Sequence, residues 1–181
     1  ARQRGLGASA FSFNSAQGQC EQCRGAGFEK IEMQFLSDVF IRCPACEGRR
    51  YRPHILEIRL SSDGSPQGDE GLSIADVLEL SIDDALPLFA LLGGPSAERA
   101  SARLRILQEV GLGYLRLGQP INTLSGGESQ RLKLAGHLAE SDSSSEAHDR
   151  KPTLFVFDEP TTGLHFEDVR ILLLAFQRLV E

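Results

Sequence analysis

Residues 124–135 read Leu124-Ser125-Gly126-Gly127-Glu128-Ser129-Gln130-Arg131-Leu132-Lys133-Leu134-Ala135. A Ser-Gly-Gly turn that opens an amphipathic helix directs backbone N–H groups and the positive end of the helix dipole toward an anion. The glycines let the backbone approach a phosphate closely, and the Ser125 hydroxyl adds a donor. Taken alone, such a turn is a common N-terminal cap. Its weight comes from residues 154–160, Leu154-Phe155-Val156-Phe157-Asp158-Glu159-Pro160. Four consecutive apolar residues fit a buried parallel strand, with Asp158 emerging at its carboxyl end. There Asp158 is placed to orient Mg2+ through water and Glu159 to polarise an attacking water. The plainer alternative is a strand that Pro160 simply ends.

Outward from these two stretches, the chain has 181 residues, 19 Lys+Arg against 25 Asp+Glu, and a net charge of −6. That length suits one domain or a large piece of one. With 41% hydrophobic and 7% aromatic residues, wholesale disorder is excluded. The net charge argues against a generic polybasic nucleic-acid binder. No apolar run approaches the ~18 residues a membrane span needs, and residues 1–7 lack the apolar stretch of a secretory signal, so a cytoplasmic protein is expected. There is no initiator Met, and a fragment is expected. The charge is uneven: residues 1–60 hold nine Lys/Arg and six Asp/Glu, a balance of +3, and residues 61–181 hold ten and nineteen, a balance of −9.

All four cysteines lie in the basic segment, as Cys20-x-x-Cys23 and Cys43-x-x-Cys46. Two such knuckles present four sulfurs to one tetrahedral zinc ion, and four thiolates leave no open position for catalysis at the metal. Gly25, Gly27 and Gly48 stand where knuckles want permissive backbone. Residues 28–35 and 39–42 read as two short strands with a turn at 36–38, so the knuckles face each other across a hairpin that the metal holds together. Two disulfides or a redox dithiol are the alternatives, and without a secretion signal a structural disulfide is disfavoured.

Beyond the cysteines, residues 56–60 have strand character, and residues 61–71 read as an exposed Ser/Gly/Asp loop. Ser73 and Ser81, each with an Asp three residues on (Asp76, Asp84), mark two helix starts. Residues 86–92 are expected in the core, with Pro87 limiting how early their helix begins. A third helix covers 97–110, with Ala100, Leu104 and Leu107 on one face and Gly111 as its stop. Residues 141–150 form an acidic, Ser-rich surface loop. The last helix carries Phe166, Val169, Leu172, Leu173, Phe176, Leu179 and Val180 on one face. His54, His137 and His148 read as solvated.

Leu124-Ser125-Gly126-Gly127-Glu128 followed by the apolar run and Asp158-Glu159-Pro160 resembles the signature and Walker B motifs of ABC-type ATPases. More closely, the chain resembles the second nucleotide-binding half of the UvrA family, the damage-recognition subunits of bacterial nucleotide excision repair. The matching stretches are Phe11-Ser12-Phe13-Asn14, the Cys20–Cys46 module, residues 110–120, residues 124–135, and residues 158–165. His165 stands where most ABC ATPases carry Asp and UvrA-like proteins carry His.

The fold implied is α/β, part of a P-loop NTPase-like ABC domain with an inserted helical signature subdomain and a four-cysteine zinc hairpin. Its segments would be 1–60 (zinc module and flanking strands), 61–140 (signature subdomain), 141–152 (flexible loop) and 153–181 (Walker B strand and helix). Ser125, Gly126, Gly127 and Glu128 would contact nucleotide held by the other nucleotide-binding domain of the same protein. Asp158 and Glu159 would act, with Mg2+, on ATP held by this domain's own phosphate loop. No Gly-Lys pair of such a loop occurs here, so this segment by itself is expected to be inactive as an ATPase.

The family further implies damaged duplex DNA, a UvrB-like protein and a homodimer as partners, and a place in the SOS response. The stretch before the zinc module, usually rich in Lys and Arg in the family, has none in residues 5–10 and 15–19. Arg2, Arg4, Arg24, Arg49, Arg50 and Arg52 remain as phosphate candidates. That departure raises a UvrA-like paralogue of drug self-resistance as one alternative. Cys20-x-x-Cys23-x-Gly25-x-Gly27 also matches a DnaJ zinc repeat, although such chaperones carry four repeats and two zincs. Elemental analysis is expected to find one zinc per chain, and two would favour the chaperone.

Overall fold

The computed structural model describes residues 5–35, 38–60, 71–143, 154–161, 164 and 166–180. The chain divides into two compact units, Ala1–Leu78 and Glu79–Glu181. Composition put a boundary near residue 60. The structure carries the first unit further because β3 (Arg59–Leu60) pairs antiparallel with β4 (Leu72–Ser73), which ties the residues after the Ser/Gly/Asp loop back to the cysteine module.

In the first unit a 3-10 turn (Ala8–Phe11) precedes a hairpin of β1 (Phe28–Ile31) and β2 (Val39–Arg42), in register Phe28↔Arg42 through Ile31↔Val39. The expected first strand thus stops at Ile31, and residues 36–37 of the expected turn lie outside the described residues. The hairpin buries no side chain fully; one edge-on contact joins Phe28 and Phe40, their ring centres 5.2 Å apart. The unit's apolar core lies behind it, where Ala10, Tyr51, Ile55 and Ala75 pack together. Tyr51 is 2% exposed, and its hydroxyl donates to the Phe11 carbonyl at 2.9 Å, so burying the phenol leaves no donor unpaired. A short helix, α1 (Pro53–Leu56), starts at Pro53, whose fixed φ suits a first turn. It takes Leu56 out of the expected strand. The second helix, α2 (Ile74–Glu79), opens on a reciprocal cap: Asp76 accepts the Ser73 N–H and hydroxyl at 2.8 and 2.7 Å, and Ser73 Oγ accepts the Asp76 N–H.

The second unit is helical among its described residues. Ser81 caps α3 (Ile82–Leu92) through the Asp84 N–H at 3.0 Å, as its sequence predicted. Pro87 lies inside this helix rather than at its start. As the sixth residue of the helix it lacks the N–H that would have served the Asp83 carbonyl, so the helix forgoes that hydrogen bond. The core side of α3 is Ile82 and Ala85; Leu91 and Leu92, expected inside, are 64% and 37% exposed. The next helix, α4 (Gly94–Glu109), ends where Gly111 takes φ +74° and the Leu112 N–H reaches back to the Leu107 carbonyl at 3.0 Å.

After a 3-10 turn (Ile121–Thr123) comes α5 (Gly126–Ser143), so residues 141–143 of the expected loop continue a helix; residues 144–150, with His148, lie outside the described residues. The last helix, α6 (Phe166–Val180), buries Leu172 and Ala175 and leaves Phe166 and Leu173 exposed, so only part of its expected face is covered. An Arg178–Glu109 ion pair ties α6 to α4.

Residues 154–157 form no helix and pair with no strand among the described residues. Their side chains alternate. Phe155 meets His137 edge-on and Phe157 lies on Phe176 at 4.5 Å, whereas Leu154 and Val156 are 87% and 84% exposed. His137 is therefore exposed on one side only. A segment becomes a sheet strand only beside a neighbour, and no described segment of this chain supplies one.

The core of the second unit joins residues of α3 to α6 around Val110, Leu112 and Leu134. Leu112→Ala, at a fully buried position, is expected to cost about 2–5 kcal/mol; a urea midpoint unchanged from the parent would contradict this packing.

Candidate metal centre and phosphate-facing turn

The two Cys-x-x-Cys turns are copies of one backbone motif offset by 23 residues. After Cys23, the residues Arg24, Gly25 and Gly27 have φ of +51°, +85° and +81°; after Cys46, the residues Glu47, Gly48 and Arg50 have φ of +52°, +86° and +69°. The fourth residue after each knuckle donates its N–H to a sulfur: Gly27 to Cys23 Sγ at 3.2 Å, Arg50 to Cys46 Sγ at 3.4 Å. The knuckles then exchange backbone bonds, Cys43 N–H to the Gly27 carbonyl and Cys20 N–H to the Arg50 carbonyl, at 3.1 and 2.7 Å. The pairings that follow also repeat, Phe28 opposite Arg42 and Tyr51 opposite Gln19. Gly25 cannot carry a side chain, since a Cβ there would lie 1.9 Å from the Phe13 carbonyl oxygen.

This symmetry brings Cys20, Cys23, Cys43 and Cys46 together, all buried, with their sulfurs within 4.8 Å of one another. Cys20 Sγ lies 4.0 Å from Cys43 Sγ, and Cys23 Sγ lies 3.6 Å from Cys46 Sγ. A disulfide needs about 2.05 Å, so these are four free thiols. Sulfurs bound tetrahedrally at ~2.3 Å from zinc stand about 3.8 Å apart, close to both distances. The cluster can hold one metal ion, and its donor set suits zinc. Burial pushes the Cys46 thiol up to about 12 and raises that of Cys23. At Cys20 burial acts the same way, but hydrogen bonds from the Cys23 and Gln22 N–H groups outweigh it and leave that thiol below the ordinary value.

The arginines proposed for phosphate divide. Arg52 donates to the Ala16 and Gln19 carbonyls at 3.0 and 3.2 Å and pairs with Glu21. Arg50 sits over the Phe13 ring at 4.9 Å. Both serve the module's own structure. Arg24 and Arg49 are exposed, and Arg49 pairs with Glu47 at 3.6 Å. Arg2 and Arg4 lie outside the described residues.

In the second unit Ser125 stands at the head of α5. Its Oγ accepts the Glu128 N–H at 3.2 Å, and Glu128 Oε2 accepts the Ser125 N–H at 2.7 Å, a complete capping box. Glu128 Oε1 accepts the Tyr114 hydroxyl at 2.6 Å. These two donors hold the Glu128 carboxyl below the usual glutamate range. Its stabilising effect is therefore present above the unfolded-state pKa and is lost only as the pH falls through the lowered folded value. The sequence assigned Glu128 to nucleotide, whereas the structure engages both of its oxygens within the chain. The Ser-x-x-Glu spacing was the signal for this, while Tyr114 carried none.

The N–H groups of Gly126 and Gly127 have no acceptor among the described residues. A Cβ added at Gly126 would meet nothing within 4 Å, so nothing in the packing of the described residues demands glycine there. Asp158 and Glu159 are exposed at the end of residues 154–157. The Asp158 carbonyl accepts Gln130 Nε2 at 2.9 Å, and Glu159 adopts φ +43°, a backbone that side chains other than glycine seldom take. Thr162, Gly163 and His165 lie outside the described residues.

A buried four-thiol centre at the base of a hairpin, and a helical unit carrying a capped Ser-Gly-Gly turn, define a segment of mixed α/β content whose four close cysteines can hold a metal ion. No protein-family model matches the chain. It is similar, over 181 residues, to UvrABC system protein A of Deinococcus radiodurans at 46% identity and of Thermus thermophilus at 47%. The Bacillus subtilis protein of the same name is 46% identical over 183 residues. These alignments take in 100% of this chain and 16–17% of each relative. Among solved structures, the crystal structure of UvrA2 from Deinococcus radiodurans superposes with a TM-score of 0.78 at 45% identity, covering 99% of this chain and 19% of that one. The chain belongs to the UvrA family, as a segment about one sixth the length of the curated relatives it matches.

Zinc loaded at neutral pH is expected to leave as the pH falls, because protons compete for the four sulfurs. A chromogenic zinc indicator read during stepwise acidification follows the release, and stoichiometric zinc retained by Cys43→Ser would count against the site.

Proposed function

We propose that this chain is the part of a UvrA-type, ATP-driven DNA damage-recognition protein that carries a structural zinc module, the signature turn of one composite ATP site and the acidic pair of another. The observation that carries the reading is the Ser125–Gly126–Gly127 turn. Among the described residues its Gly126 and Gly127 N–H groups have no acceptor, they stand at a helix N-terminus, and a Cβ at Gly126 would meet nothing within 4 Å.

In this reading Ser125, Gly126 and Gly127 hold the γ-phosphate of a nucleotide bound by the partner nucleotide-binding domain. Asp158 would hold Mg2+, which would supply charge stabilisation to the phosphates, and Glu159 would orient and polarise the attacking water. ATP, when bound, supplies the hydrolysable phosphoanhydride whose turnover changes how the domains clamp DNA. Glu128 does not touch nucleotide; it holds Ser125 in place. The zinc centre is closed and does no chemistry, as four thiolates leave no site for water. Distorted duplex DNA is the proposed substrate, selected by shape and deformability rather than base identity. The exposed Arg24, Arg42 and Arg49 of the cysteine module are its phosphate contacts. The whole protein works as a homodimer and loads a UvrB-like partner. The match along the whole of this chain favours this reading over a DnaJ-like chaperone, whose repeats lack the signature turn.

The test uses the full-length protein. Gly126→Ala is expected to leave stability within about 1 kcal/mol of the parent, since alanine suits a helix better than glycine. The added methyl is expected to lower the kcat of ATP hydrolysis by about 100-fold through blocking phosphate approach. Parent-level turnover in both Gly126→Ala and Ser125→Ala would overturn the assignment of the turn to nucleotide.

A further inference from the structure

The signature turn is fastened more heavily than a capping box requires. In a simple box the second oxygen of the glutamate faces water. Here Glu128 Oε1 takes the hydroxyl of Tyr114, which comes from the loop after α4, at 2.6 Å. Arg131, one turn further along α5, donates Nη2 to that same hydroxyl at 3.5 Å. Its side chain is buried, the residue only 4% exposed, and Nε and Nη1 have no partner among the described residues. Burying a guanidinium with donors unpaired is costly, and two helix-capping bonds could be had without it. Its positive charge adds, after the hydrogen bonds from Tyr114 and Ser125, to what holds the Glu128 carboxyl below its ordinary value. The series runs Arg131, Tyr114, Glu128, Ser125 N–H, from the interior of the unit out to the first residue of the turn.

Such over-determination is what fixed donor directions require. A frayed helix start still binds an anion, but it must reorganise to do so, whereas donors already aimed lose nothing at the moment of reaction. We propose that Tyr114 and Arg131 are positioning residues for the signature turn: they clamp the Glu128 carboxylate so that the Ser125 hydroxyl and the Gly126 and Gly127 N–H groups meet the γ-phosphate already oriented. The inference rests on the reading that this turn faces nucleotide. Neither residue touches the phosphate itself; both act through Glu128.

The experiment is steady-state ATP hydrolysis by the full-length protein carrying Tyr114→Phe, Glu128→Gln, the two together, or Ser125→Ala. Tyr114→Phe removes one hydroxyl and keeps the ring. It is expected to lower kcat about tenfold while KM for ATP moves less than about twofold, the pattern of an interaction made only in the closed, reacting state. Because Tyr114 acts through Glu128, the double variant is expected to be no slower than Glu128→Gln alone. Arg131→Lys is expected to lower kcat in the same way; should it fail to fold, Tyr114→Phe still decides. A parent-like kcat in Tyr114→Phe together with a slow Ser125→Ala overturns the positioning role and leaves the turn's assignment standing. Multiplicative losses in the double variant overturn it as well. Parent-like turnover in Ser125→Ala overturns the assignment on which it rests.

Discussion

Four cysteine sulfurs drawn to within 4.8 Å of one another are the constraint on which the first unit depends. Fixing each residue of a hairpin costs roughly 1–2 kcal/mol of backbone entropy, and this hairpin has no buried apolar side chain to offset it. What offsets it is closure at the strand bases. The knuckles are bonded to each other through Cys43 N–H and Cys20 N–H, and the same contact converges the thiols. Backbone pairing and metal-site geometry are therefore one event. The Tyr51 core behind the knuckles anchors that event to the rest of the unit, since Tyr51 immediately follows Arg50 and pairs with Gln19 immediately before Cys20.

The second unit solves a different problem, holding a short polar turn rigid at the surface of a helical core. Val110, Leu112 and Leu115 are buried just before and just after Tyr114, so the loop that presents its hydroxyl is pinned on both sides. The neighbours Gln130 and Arg131 leave α5 in different directions, one to the Asp158 carbonyl and one to Tyr114. One turn of helix thereby links the signature turn and the segment that ends in the acidic pair.

Much of this was legible in the residues. The cysteine spacing located the metal module, the Ser-x-x-Asp pairs located two helix starts, and Gly111 located a stop, because each depends on chemistry within a few positions. The internal repeat was only half visible, since the second knuckle has Arg50 where the first has Gly27. The backbone takes the same left-handed turn at both, and no residue-type rule would have paired them. Tyr114 and Glu128 are 14 positions apart on different elements, beyond any local pattern. Apolar character at residues 86–92 and 154–157 marked them for burial, but burial needs a neighbour, and at Leu91, Leu154 and Val156 the described residues supply none.

Residues 154–157 have a further consequence, in colloidal behaviour. A segment that pairs with no strand among the described residues and exposes two aliphatic side chains is a template for strand addition by another copy. Asp158, Glu159 and then Pro160 follow it directly, two like charges and a residue that cannot donate to a ladder. The excess of nine negative charges over residues 61–181 adds long-range repulsion between copies. Solubility of the isolated segment thus hangs on charges placed beside residues 154–157, and raising the salt concentration, which screens them within about 10 Å at 0.1 M, weakens that protection first.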